Sequence, residues 1–394
     1  MTPAERRILL GALGFLSFGA VYANVVMTPV LTLIAREFGT TTGVAGLVVA
    51  AFGVPGIITS LIAGPYSDRI GRKPFLVAGA LLMGGFTAVS ALAPTFELLV
   101  AARAFAGIGA SLLFPNIQSL IGDTFPYQER GRAVSTVIGL NTFAAIVGIP
   151  IAGLVAEATS WRVSLLIVAA IAILAAVVLH ALVAHTRPDG EPARARALFG
   201  SILGNRSAVA AIASSFMGSF FWFAWSTYVV VYFEQVHGLS PSLAATVTLT
   251  LGLGVLVGSQ IGGRLGDRIG HRRIVWSTIA ISAMLMVALT NLPVSLAAAL
   301  ALNLLMSAVI GARFATNVPL LSEQVPGARG TVMAISSSLV SVAIVAAAIV
   351  GGLLVDGPGF PALGIVAGIV GLLSTAPVLL FVHEEPIDLE SQLI

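Results

Sequence analysis

Two arginines sit where charge is hardest to hold. Arg103 lies in LLVAARAFAGIGAS and Arg313 in LMSAVIGARFATNV, each well inside an apolar run long enough to cross a bilayer. A charge at that depth costs at least about 2.5–3.5 kcal/mol on insertion scales, so such residues are functional candidates by default. Either they organise the core by bonding neighbouring carbonyls, or they couple or bind something. The chain has 17 acids, and all of them fall at run ends, in loops or in tails. Glu157 and Glu234, near the ends of two runs, are the remaining carboxylate candidates for coupling; each is either a titrating site or an ordinary interfacial acid. No His stands in the middle of a run. Cys is absent, which removes thiol catalysis, disulfides and Cys-based metal sites. The other polar and aromatic candidates are Tyr22, Asn24, Asn116, Gln118, Asn141, Trp222, Trp225, Tyr228 and Asn317. Aromatics, amides and one base, with no acid, suit an amphipathic or anionic organic molecule better than a metal ion or a lipophilic cation. Enzyme signatures are not evident. The GIG around Gly107 is inside an apolar run with no strand before it, so it is no dinucleotide site, and there is no phosphate-binding P-loop. No cofactor, metal or nucleic acid is expected.

The elements that must carry these residues follow from composition. Of 394 residues, 57% are hydrophobic and 9% charged, with a mean hydropathy of +1.01. A soluble domain carries roughly a quarter charged residues, so the solvent around this chain must be lipid. A spanning helix needs about 20 apolar residues. Such runs fall near 8–35, 43–65, 74–93, 97–121, 133–156, 162–184, 207–235, 242–263, 273–291, 295–320, 330–353 and 361–382. The first run is too long for a signal-peptide core and has no small-residue cleavage site after it, so it is read as retained. The fold class is therefore all-α, with twelve transmembrane helices in two six-helix bundles. The bundles are 1–184 and 207–394, joined by a polar linker at 185–206. Sixteen of the 20 Lys and Arg fall on the side that holds this linker. That bias places the linker and both termini in the cytoplasm, in a multi-pass protein of the cell membrane.

The two halves are copies. GPYSDRIGRKPFLV after the second run matches GGRLGDRIGHRRIV after the eighth, with Asp68 against Asp267, Arg69 against Arg268 and Gly71 against Gly270. Each pair is 199 residues apart, as are Gly39 and Gly238, and Arg130 and Arg329. The duplication has equal topology in both halves, as in transporters with parallel repeats. Neither Arg103 nor Arg313 has a twin, because their matching positions hold Leu302 and Phe114.

These loops resemble the G-x-x-x-D-R-x-G-R-[KR] signature of the major facilitator superfamily. In the fourth run, Arg103, Gly107, Gly109 and Ala110 are similar to its R-x-x-x-G-x-G-A pattern. In the fifth, Gly139, Gly148, Pro150 and Gly153 resemble the motif of the drug and metabolite exporters. The resemblance implies a secondary transporter acting as a monomer on a small molecule by alternating access, with proton antiport in the exporter branch. It implies gating for Asp68, Arg69, Gly71, Arg72, Asp123, Arg130, Asp267 and Arg268, and coupling or core organisation for Arg103. It also implies a central cavity lined by the first, fourth, seventh and tenth runs. Asn24 stands where many drug:proton antiporters carry a carboxylate, so a central proton carrier of the usual type is missing.

Overall fold

The computed structural model describes residues 3–125, 127–182, 202–325 and 329–384. The side chains of Asp68, Arg69 and Arg130, and linker residues 185–201, lie outside the described set. Twelve described helices are long and apolar enough to cross a membrane. They are α1 (Pro3–Val25), α2 (Leu47–Ile70), α3 (Arg72–Ala91), α4 (Phe96–Thr124), α5 (Tyr127–Ala158) and α6 (Trp161–Leu182). Then follow α7 (Arg206–His237), α8 (Pro241–Ile269), α9 (His271–Asn291), α10 (Leu296–Glu323), α11 (Arg329–Asp356) and α12 (Phe360–Leu373). Short helical pieces extend α1 to Glu37 and α12 to Phe381.

The duplication is written in the backbone. Gly39 and Gly238 have φ of 63° and 66°, and Gly71 and Gly270 have φ of 104° and 97°. These are left-handed conformations that a Cβ penalises. Two matched pairs therefore turn the chain the same way in each copy, at the ends of α1 and α7 and between α2 and α3 or α8 and α9.

The chain divides into two compact units. The first holds Met1–Ala193 and Thr227–Thr248; the second holds Arg194–Ser226 and Leu249–Ile394. In the first, α3 packs on α4 and α6, α2 on α4, and α1 on α5 and α6. In the second, α9 packs on α10 and α12. In lipid, apolar burial does not drive helices together, so close backbone approach does. Gly254, Gly258 and Gly262, one per turn of α8, lie against Leu304, Ala308 and Ala312 of α10 with no room for a Cβ. Gly107 of α4 meets the Phe52 backbone of α2 in the same way.

Charged clusters fix the ends. Glu37, after α1, accepts bonds from the Trp161 indole (2.5 Å) and the Arg162 guanidinium (2.6 Å) at the start of α6. Arg162 also donates to the carbonyls of Ala91 and Ala93 at the end of α3, at 2.7 and 3.0 Å. In the second unit the side-chain amide of Asn205 donates to the Gln324 carbonyl at 2.9 Å. This ties the start of α7 to the end of α10.

Candidate functional site

The two membrane arginines are treated differently by their surroundings. Arg103 is fully buried. Its Nη2 donates to the Ala23 carbonyl of α1 at 2.9 Å, and its guanidinium lies 4.2 Å from the Phe52 ring centroid of α2. A hydrogen bond involving a charged group contributes about 1.5–3 kcal/mol, and a desolvated cation–π contact about 2 kcal/mol. Their sum is comparable with the insertion cost, so Arg103 is accounted for as a clamp on α1, although its Nε and Nη1 have no partner among the described residues.

Arg313 is also buried, at 1% exposure. It bonds the Ser214 carbonyl of α7 at 2.8 Å and the Ser214 hydroxyl at 3.4 Å. Among the described residues no aromatic face lies over it and its Nε has no partner. Gly218 makes room for it, since a Cβ there would strike the guanidinium. Around it, Asn317 donates to the Ser215 hydroxyl at 3.1 Å, and Ser215 lies 3.4 Å from Ser336 of α11. Trp222 stands edge-on to Phe314 with centroids 5.7 Å apart. The second unit thus brings Trp222, Arg313 and Asn317 onto facing turns of α7 and α10.

Other candidates are engaged in packing. The Trp225 indole donates to Asn303 at 2.9 Å, and Asn303 donates to Thr250 at 2.7 Å. Asn303 and Thr250 escaped sequence reasoning. Asn303 directly follows Leu302, the position matching Arg103, and a search for amides in the tenth run would have found it. The Tyr228 hydroxyl sits against the Gly46 backbone. The Tyr22 ring packs on Gly148, and its hydroxyl has no partner among the described residues. Asn141 accepts a bond from Ser17 of α1 at 2.6 Å. Asn116 is buried and donates to its own helix at the Leu112 carbonyl (2.7 Å). Asn24 and Gln118 are half-buried.

At the end of the first unit away from the linker, α7 and α8 meet α1, α2 and α5. Glu157 accepts the backbone N–H of Ser242 at 3.0 Å, at the positive N-terminus of α8. Gly153 has Ala245 of α8 where a Cβ would stand. Glu234, in the last turn of α7, lies beside Thr32 and within charge range of Arg36. Its Oε1 is buried with no hydrogen-bond partner among the described residues.

The duplicated loops share a backbone but differ in wiring. In the first, Arg72 is buried and donates to Asp123 at 3.2 Å and to Ser67 at 2.7 Å. In the second, His271 occupies that position, and its Nε2 lies 3.8 Å from an exposed Asp267. Arg268 is exposed. Here Glu384 accepts the backbone N–H of His271 at 2.6 Å and of Arg272 at 3.0 Å, on the N-terminus of α9.

A family model of the major facilitator superfamily matches residues 12–258 and 237–393. With this coverage, the chain belongs to the major facilitator superfamily. It is 31% identical over 165 residues to Multidrug resistance protein 1 of Bacillus subtilis, covering 42% of this chain and 41% of that protein. It is 27% identical over 168 residues to the probable sulfoacetate transporter SauU of Cupriavidus necator, covering 43% and 39%. The matches thus span about two fifths of the length of these curated relatives. The crystal structure of a D-xylose-proton symporter superposes with a TM-score of 0.81 at 21% identity, covering 96% of this chain and 97% of that one. That likeness concerns the fold. The superfamily and this structural neighbour are transporters, not enzymes.

Proposed function

We propose that the chain is a secondary transporter that exports an amphipathic or anionic organic molecule by alternating access, driven by proton exchange. The observation that carries this reading is the contact of α8 with α5 through Glu157, Ser242, Gly153 and Ala245. Among the described residues, helices from opposite sequence copies meet there through one capping carboxylate and one small-residue contact, and the proposed cycle opens this contact. Glu234 is the proposed proton site, because it is a carboxylate at the same end with one oxygen left without a donor among the described residues. The partial match to a multidrug resistance protein supports the export direction. The base bias supports a cell-membrane protein with its linker and both termini in the cytoplasm, and the proposed working unit is a monomer. The halves exchange access as 1–184 and 207–394. The test is proteoliposome efflux of a panel of amphipathic dyes and organic anions under an imposed proton gradient. Gradient-dependent efflux supports the reading. Efflux that ignores the gradient removes the antiport part.

A second reading is a facilitator or organic-anion carrier without proton coupling. It is favoured by Arg313, a buried base with no carboxylate partner among the described residues. Anion flux surviving Arg313→Ala would refute it.

A further inference from the structure

A charged cleft lies apart from the polar groups described above. It is a cavity of about 470 Å³ in the first unit, between the starts of α1 and α5, with Arg6, Arg7, Arg132, Glu129, Leu10 and Phe125 in its lining. Glu129 and Arg6 are paired at 2.8 Å. Arg6 Nε remains buried without a partner among the described residues. Arg7 and Arg132 are exposed, and their guanidinium groups have no partner among the described residues. Three bases against one acid leave a net charge of +2 in the cleft. The N-termini of α1 and α5 add their positive ends on the same face.

Depth decides what such a cleft can take. The apolar stretch of α1 begins at Glu5, and that of α5 begins at Arg132. These two guanidinium groups therefore stand where hydrocarbon gives way to headgroups. Leu10 lies one turn further into the span, on the apolar wall. A ligand that fits offers a phosphate at the mouth and an acyl chain alongside. We propose that this cleft binds the headgroup of an anionic phospholipid, with Arg7 and Arg132 holding the phosphodiester and Glu129 weakening its hold. Phosphate chemistry is shared with soluble phosphorylated solutes. The position at the boundary favours the lipid.

The test uses the purified full chain in detergent, with native mass spectrometry measuring the first bound lipid. Phosphatidylglycerol is compared with phosphatidylcholine of the same chains. Each base near an anionic lipid surface contributes about a fivefold factor in affinity. R7Q and R132Q should each weaken phosphatidylglycerol binding about fivefold, and the double variant about 30-fold. E129Q should tighten it. Phosphatidylcholine has the same phosphodiester but adds a choline cation that the bases repel, so it should bind more weakly than phosphatidylglycerol and lose less affinity in the double variant. Both bases are exposed, and an unchanged melting temperature verifies the fold of each variant. Equal affinity for the two lipids would overturn the proposal, as would a double variant that binds phosphatidylglycerol normally. Displacement by inorganic phosphate at the lipid's own concentration would overturn it in favour of a soluble-anion site.

Discussion

Arg103 and Arg313 carry the same group at similar cost, yet the protein compensates them unequally. Arg103 has a carbonyl and an aromatic face. Arg313 has a serine and, among the described residues, no ring. Arg103→Ala should therefore cost about 2–4 kcal/mol of stability, through the lost bond, the cation–π contact and the cavity. A melting curve of the purified variant measures this. Arg313→Ala should melt closer to the parent but lose anion flux at least about tenfold, equivalent to about 1.4 kcal/mol. Glu234→Gln should leave binding of a transported dye intact and remove the dependence of its flux on a proton gradient. Both arginines were visible in the sequence as lone bases in apolar runs. Their difference was not, because it depends on Phe52 and Ser214, which are 51 and 99 residues away. Apolar patterning fixes which residues are inside but not which partner meets them.

At the scale of helices, glycine decides what can approach. Within the exporter-like motif of α5, Gly148 faces the Tyr22 ring and Gly153 faces Ala245, but Gly139 has nothing within 4 Å of a Cβ. Gly148→Ala and Gly153→Ala should each lower stability by about 1–3 kcal/mol through overpacking. Gly139→Ala should be neutral or slightly stabilising, since alanine favours the helix. Three melting curves separate the cases. The motif was legible as a pattern, but its three glycines are not equivalent, and only the neighbouring helices show this. The two loops teach the same lesson. Their common backbone was legible at Gly71 and Gly270. The capping of α9 by Glu384 was not, because the carboxylate arrives from a segment more than 100 residues later.

At the scale of the molecule, a duplicated scaffold carries unduplicated chemistry. Closely similar φ at matched glycines shows the scaffold repeat. The arginines, the loop wiring and Asn303 show the divergence. Alternating access requires that the contact between α5 and α8 open. The chain has no cysteine, so a pair introduced at the exposed Ala158 and Leu243, next to Glu157 and Ser242, can be labelled while that contact is kept. Electron–electron distance measurement between spin labels at these two positions, in lipid nanodiscs, tests the central claim most directly. The account predicts two populations, one short and one longer, whose ratio changes with pH. A single short population at every pH and with every transported compound would contradict it.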